Sequence, residues 1–170
     1  ARSLGTNNVD NRARLCHESS TRTLSERVGW PASTGSLDAL GDSDLILVAG
    51  ANPAERQPIA FNSFVRPAVN AGATLVHVDP VGNRTTRLAD YHVAPQPGMD
   101  ALVFDLLSAT IIEDNKSHSE NGGVDHAFIS ERTRGYDSFA ASLAGMDREQ
   151  AITAAGVDIG TIQQVVELLI

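Results

Sequence analysis

With 170 residues, 42% of them hydrophobic and 20% charged, the chain has enough apolar material for one domain with a real core, which excludes disorder as a whole. The formal net charge is -8, Lys116 is the only lysine, and no run of Lys or Arg forms the basic stripe that a phosphate backbone demands, so nucleic-acid binding is not expected. No apolar run approaches the roughly 18 to 20 residues that cross a bilayer, so direct membrane insertion is not expected either.

The chain begins "ARSLGTNNVD", without Met and without the basic-then-apolar pattern of a signal peptide. It stops inside the apolar, helix-periodic stretch "IQQVVELLI" (Ile162, Val165, Val166, Leu169) with no Gly or Asn stop signal, and so reads as a piece of a larger polypeptide. The compartment expected is the cytoplasm. The periplasm is the alternative, because a twin-arginine signal would lie outside this segment.

Residues 1–20 are polar and loop-like. A helix is predicted near "SSTRTLSERVG", with Ser20 or Thr21 as its cap and Gly29 as its terminator. After the loop "WPASTGS" comes "LILVAG" (45–50), a continuous apolar run of the kind found in a parallel strand covered by helices on each side. A second run is "TLVHVDP" (74–80). Between them, Ile59, Phe64, Val65, Ala68 and Val69 fall at helical spacing before a Gly72 stop, with Pro67 expected to kink or interrupt the helix. Strand, crossover helix, strand is a right-handed βαβ unit.

A third run, "YHVAP" (91–95), is a further strand, followed by "QPGMD" and a helix over "DALVFDLLSATIIED" for which Asp100 is the expected N-cap. From the polar loop "KSHSENGG" onward, four stretches read as helices: "VDHAFISERT", "YDSFAASL", "DREQAITAAG" and "DIGTIQQVVELLI". The fold class is therefore α/β, a doubly wound, mostly parallel, Rossmann-like sheet with a helical C-terminal part. The expected division is an active-site segment with the first helix over 1–35, a nucleotide-binding α/β part over 36–115, and a helical extension over 116–170.

Ligands of open parallel sheets lie beyond the carboxyl ends of the strands, where loops turn into helices. Three loops qualify: "GANPAE" (50–55), "DPVGNR" (79–84) and "QPGMD" (96–100). A small-residue loop after one strand, with the acid Asp79 at the tip of the next, resembles the geometry of nucleotide binding, since a carboxylate accepts hydrogen bonds from ribose hydroxyls. The GxGxxG fingerprint, the Walker loop and the GxSxG elbow are all missing.

Asp100 suits the N1–H and amine edge of guanine, although on residue type alone it reads first as a helix cap. Asp79 also reads as a turn-former before Pro80. Cys16 stands beside His17, with Arg12 and Arg14 upstream favouring its thiolate if they point the same way. On residue type alone a free cysteine is more often an inert filler. His77, His92, His118 and His126 lack the spacing of a zinc site and read as structural or solvated. Trp30 and the five phenylalanines read as core packing.

Taken in order, "GTNNVDNRARLCH", "DSDLILVAGANPAERQP", "NAGATLVHVDPVGNRTTRLADYHVAPQPGMDALV" and "AFISERTRGYDSF" resemble the molybdopterin oxidoreductases of the formate dehydrogenase alpha-subunit type, over nearly the whole chain. The resemblance implies a bis(molybdopterin guanine dinucleotide) cofactor carrying Mo or W, with Cys16 as a metal ligand and His17 as a neighbouring proton-handling group. It also implies that Gly50, Asn52, Asp79 and Asp100 hold one nucleotide arm, Asp79 meeting ribose or guanine and Asp100 the guanine edge. A soft thiolate suits such a metal, and a histidine beside it takes the proton as formate loses two electrons and becomes CO2.

Two positions depart from the family's pattern. Val81 stands where "DPR" would place an arginine, leaving Arg84 or Arg87 to substitute, and Arg12 stands where many relatives carry a cysteine. Iron–sulfur ligands, the second cofactor-binding region and the substrate arginine would lie outside the segment, so the isolated piece is expected to be inactive. The partners implied are formate or a similar small substrate, the remaining domains of the same subunit, and electron-transfer subunits. The competing reading is the large iron–sulfur subunit of respiratory complex I, in which a domain of similar fold is a scaffold without molybdenum. A plain nucleotide-binding module is a third.

Overall fold

Alternate residues of a strand point to opposite faces of its sheet, so a strand apolar at every position needs cover on both. The segment Thr74–Val78 (β2) is covered on both faces, with Leu75 through Val78 buried and His77 the polar exception among them. It is central in a three-stranded parallel sheet, flanked by β1 (Leu45–Ala49) and β3 (Tyr91–Val93). Leu45 is in register with Thr74 and Ala49 with Val78, while Val76 faces Tyr91 and Val78 faces Val93. The structure, a computed structural model, describes residues 2–117 and 124–170. All three apolar runs are strands, and each stops short of its run, at Ala49, Val78 and Val93.

The chain divides into two units, Ala1–Ala39 and Leu40–Ile170. In the second, the two faces of β2 build two cores. Leu75 packs with Ile46, Phe61, Val65, Ala68 and Ala73 under the crossover segment. Val76 and Val78 join Val93, Val103, Leu106, Leu107 and residues of the last two helices, among them Ala155, Ile162 and Val165. Leu75, Val76 and Val78 are fully buried, and each such side chain contributes about 1.5–3 kcal/mol relative to exposure. This is the doubly wound layout expected from the sequence.

The crossover is not one helix. It runs as α2 (Pro53–Arg56), a single turn α3 (Pro58–Ala60), a π-helical turn over Phe61–Val65, and α4 (Arg66–Asn70). Pro53 and Pro58 each open a helical turn, where a missing N–H costs nothing. Pro67 has no N–H to give and its ring crowds the carbonyl four residues back. The π turn lies just before it, and the Arg66 N–H donates to the Phe61 carbonyl, five residues back. These breaks shift the phase of the apolar stripe. Phe61, Val65 and Ala68 are buried, whereas Ile59, expected on that stripe, is exposed.

After β3, α5 (Asp100–Ser117) is followed by α6 (His126–Arg132), α7 (Tyr136–Ala144), α8 (Arg148–Ala155) and α9 (Ile159–Leu169), matching the four helices read at the C-terminal end. Three begin on an aspartate whose carboxylate accepts an N–H three residues on: Asp125 from Phe128, Asp147 from Gln150, Asp158 from Thr161. An ion pair at 2.7 Å, Arg148 to Glu113, joins α8 to α5. Lys116 and Ser117 close α5, so the start of the expected polar loop is helical; its remainder, with His118, lies outside the described residues. Of the aromatics expected in cores, Phe61 is buried, but Trp30, Phe104, Phe128 and Phe139 are exposed.

In the first unit, α1 spans Ala13–Val28 and ends on Gly29 at φ +76. The expected start at Ser20 or Thr21 is wrong: the helix begins at Ala13, seven residues before Ser20 and just after the polar "NR" pair, where Asn11 Oδ1 accepts the Ala13 N–H at 2.9 Å and Arg12 is the cap position. No Gly or Pro stands between Gly5 and Gly29, so nothing stops the helix once nucleated. The exposed pair Arg22–Glu26 lies four residues apart along it, and Asp10, ahead of the helix, pairs with Arg14 in its first turn. Cys16 and His17 are therefore helical, not in a loop.

Gly156, at φ +67 after α8, abuts the loop that follows β3: a Cβ there would lie 2.9 Å from Gln96 Cγ. The left-handed backbone costs an L side chain about 1–2 kcal/mol even without that clash. Gly156→Ala is expected to lower the unfolding free energy by at least that amount in urea denaturation. Gly145→Ala, at φ -85 with only ordinary contacts around the added carbon, should cost far less.

Candidate functional site

Because the three strands are parallel, their carboxyl ends share one edge of the sheet, and the three loops singled out in the sequence leave from it. Gly50 turns the chain out of β1 at φ +59 while its N–H donates to Val78 O at 2.8 Å. A Cβ there would meet nothing within 4 Å, so the turn is open on that side. Asn52, half-buried, accepts from Thr85 Oγ1 at 3.0 Å and donates from Nδ2 to Glu55 Oε2 at 2.9 Å.

Asp79 continues β2 into the second loop. Its Oδ1 accepts the Val81 N–H at 2.8 Å, the turn-forming role, while Oδ2 lies 4.0 Å from His77 Nε2. Arg84, one of the two arginines considered in place of the one missing at Val81, is paired with Glu55 at 3.3 Å. Asp100 is not the N-cap of α5. The Val103 N–H donates to Met99 O at 3.1 Å, which puts Met99 at the cap and Asp100 at the first helical position. Among the described residues the Asp100 carboxylate has no hydrogen-bond or ion-pair partner, and the positive end of the helix favours its negative charge.

The third loop is held from behind: Gln96 N–H donates to Ala155 O at 2.8 Å and accepts at its own carbonyl from Met99 N–H at 3.0 Å. Gly50, Asn52, Asp79 and Asp100 thus share one edge of the sheet. Cys16 and His17 belong to the other unit. Both are exposed on α1, Cys16 is a free thiol, and neighbours on a helix point about 100° apart. Arg14, upstream of the thiol, is engaged by Asp10 at 3.3 Å.

Four residues that carry this edge were not singled out as site residues: His77, Asn83, Thr85 and Thr86. His77 and Thr85 are fully buried. Thr85 Oγ1 donates to Asn52 Oδ1 and accepts the Ala54 N–H at 3.2 Å. Asn83 Oδ1 accepts the Thr85 N–H, and the Asn83 N–H donates to Thr86 Oγ1, both at 2.9 Å. His77 Nε2 lies 3.0 Å from Ala51 O and Nδ1 2.8 Å from Thr86 Oγ1. A carbonyl only accepts, so these partners assign the ring proton to Nε2 and let Nδ1 accept the threonine hydroxyl.

His92, stacked on His77 with ring centroids 5.7 Å apart, lies with Nε2 2.8 Å from Asp79 O. Both histidines are structural, one of the two roles the sequence allowed them. The signal for His77 was present in the sequence as the one ionisable residue inside the run "TLVHV". Among the described residues, no group of three or more His, Cys, Asp or Glu is placed to hold a metal ion, and no helix is long and apolar enough to cross a membrane.

Comparison with known proteins gives this edge a context. Formate dehydrogenase H of Escherichia coli is 32% identical over 161 residues, 95% of this chain and 21% of that protein. An F420-dependent formate dehydrogenase 2 subunit alpha of Methanococcus maripaludis is 31% identical, covering 94% of this chain and 22% of that one. A nitrate reductase of Shewanella frigidimarina is 30% identical, covering 98% of this chain and 17% of its own length. The chain thus spans about a fifth of the curated relatives it matches. Among solved structures, acetylene hydratase from Pelobacter acetylenicus superposes with a TM-score of 0.72 over 96% of this chain and 21% of that one, at 18% identity, a likeness of fold. Residues 1–157 match the model of the molybdopterin oxidoreductase family, and with nearly the whole chain accounted for in this way, it belongs to that family.

Proposed function

We propose that this chain is part of the catalytic subunit of a formate dehydrogenase, and that its sheet edge holds one nucleotide arm of a bis(molybdopterin guanine dinucleotide) cofactor carrying Mo or W. The observation that carries the reading is the pairing, in one chain of this family, of a free exposed Cys16–His17 with a sheet edge where Asp79 Oδ2 and Asp100 keep carboxylate oxygens without a hydrogen bond among the described residues. Family membership implies a molybdopterin cofactor with Mo or W.

The residues present fit such a group. A guanine nucleotide offers donors at its ribose hydroxyls and at the N1–H and amine of its base, and the two carboxylates are acceptors. Gly50 leaves its side of the first loop open. Asp79 would take ribose or guanine, Asp100 the guanine edge, and Asn52 would hold the first loop in shape. Cys16 supplies a soft sulfur donor suited to Mo or W. When bound, the metal centre supplies the two-electron redox chemistry. As formate becomes CO2, one proton and two electrons leave, and His17 would hold the proton.

The relatives that bear the name formate dehydrogenase support this substrate. Reduction of nitrate is the second reading, supported by the Shewanella relative at 30% identity. The rest of the same subunit, electron-transfer subunits with iron–sulfur clusters, and a cytoplasmic setting complete the proposal.

Two substitutions in the full-length protein test it. Cys16→Ser removes one soft ligand and little volume, and is expected to bring formate oxidation to background with an unchanged circular dichroism spectrum; retained turnover rejects the ligand role. Asp100→Ala removes a charged acceptor contributing about 1.5–3 kcal/mol, and should lower the guanine nucleotide and metal recovered per chain, whereas unchanged metal content rejects its role. In the unmodified protein, elemental analysis should give Mo or W. Iron without either metal would favour the complex I scaffold.

A further inference from the structure

His77 has no place in a scheme that needs only apolar packing at the middle of β2. A fully buried imidazole is costly there unless both nitrogens are paired, and a valine would fill the strand without that condition. Both nitrogens are paired, and to different places: Nε2 to the Ala51 carbonyl of the first loop, Nδ1 to the Thr86 hydroxyl beyond the second. From this geometry we propose that His77 is a positioning residue for the cofactor-holding edge, an inference that rests on reading that edge as the seat of the nucleotide arm.

The bond to Ala51 sets the direction of a peptide. No peptide bond among the described residues is cis, and in a trans peptide the N–H points opposite to the C=O. With the Ala51 carbonyl drawn inward to Nε2, the N–H of Asn52 faces the other way, and no described residue accepts from it. His77 so fixes which way the first loop presents its backbone. His92, stacked against it, does the same for the second loop by holding the Asp79 carbonyl. Thr85 ties the two together through Asn52 and Ala54. The loops that carry Gly50, Asn52 and Asp79 thereby acquire one geometry before anything binds.

The test uses the full-length holoenzyme and two readouts besides activity: GMP released per chain on acid hydrolysis, which counts guanine dinucleotide cofactor, and the rate at which the folded protein loses it. His77→Phe keeps a ring of similar size and removes both hydrogen bonds. It is expected to lose cofactor about tenfold faster or more, the effect of one lost hydrogen bond of ordinary strength. His77→Gln, which keeps a donor and an acceptor, should restore much of the retention. Leu75→Ala, on the same face of β2 and equally buried, controls for loss of stability alone and should retain cofactor better than His77→Phe at matched unfolding midpoint.

Wild-type retention in His77→Phe, or equally fast loss in Leu75→Ala, overturns the inference and leaves the proposed function standing. If His77→Phe does not fold, Thr86→Val, which removes the hydroxyl bound to Nδ1, carries the test with the same two outcomes. A wild-type protein that releases no GMP overturns the proposed function and this inference together.

Discussion

A polar group sealed from water must find its partner inside the protein, and at the carboxyl edge of this sheet that requirement organises everything near it. His77 and Thr85 have no exposed surface. Their three hydrogen-bonding atoms, two ring nitrogens and one hydroxyl, are satisfied by Ala51, Thr86, Asn52 and Ala54, which belong to segments separated by β2 itself. An apolar core would tolerate small slips of these loops. A buried polar network does not, because each slip strands a donor or an acceptor.

The same edge is shaped from the far end of the chain. Helices α8 and α9 cover one face of the sheet through Ala151, Ala155, Ile162, Val165 and Val166, and the corner between them presents Ala155 O to the Gln96 N–H. The helical extension therefore does two jobs with one surface. It completes the core under Val76 and Val78, and it fixes the loop that leads into α5 and Asp100. Gly156 is needed at that corner because the backbone there is left-handed and Gln96 is close.

The first unit follows a different logic. Its helix α1 buries no residue, and Leu15 and Trp30 are exposed. What holds it in regular form is local: an Asn11 turn at its start, two ion pairs four residues apart, and a left-handed glycine at its end. The thiol of Cys16 and the imidazole of His17, neighbours on such a helix, have their directions set by the helix backbone, and both are exposed.

How much of this was legible in the sequence depends on range. Largely apolar runs named all three strands, because a strand covered on both faces needs apolar residues on both, and helical spacing named the four C-terminal helices for the same kind of reason. Asp79 and Asp100 were visible as residues because parallel strands must end in loops on one edge, whereas Gly50 and Asn52 were named by the family resemblance. The start of α1, the broken crossover and the cap of α5 were not visible, since each depends on which of several acceptable local bonds the backbone takes: an Asn11 turn, a π turn ahead of Pro67, Met99 in place of Asp100. By itself, then, the sequence determined the layers and the loops. Only the tertiary structure decided that "H" in "TLVHV" and "TT" in "NRTT" form one hydrogen-bonded unit with "AN" of the first loop, because pairing of buried polar groups is a contact across sequence distance that no local pattern encodes.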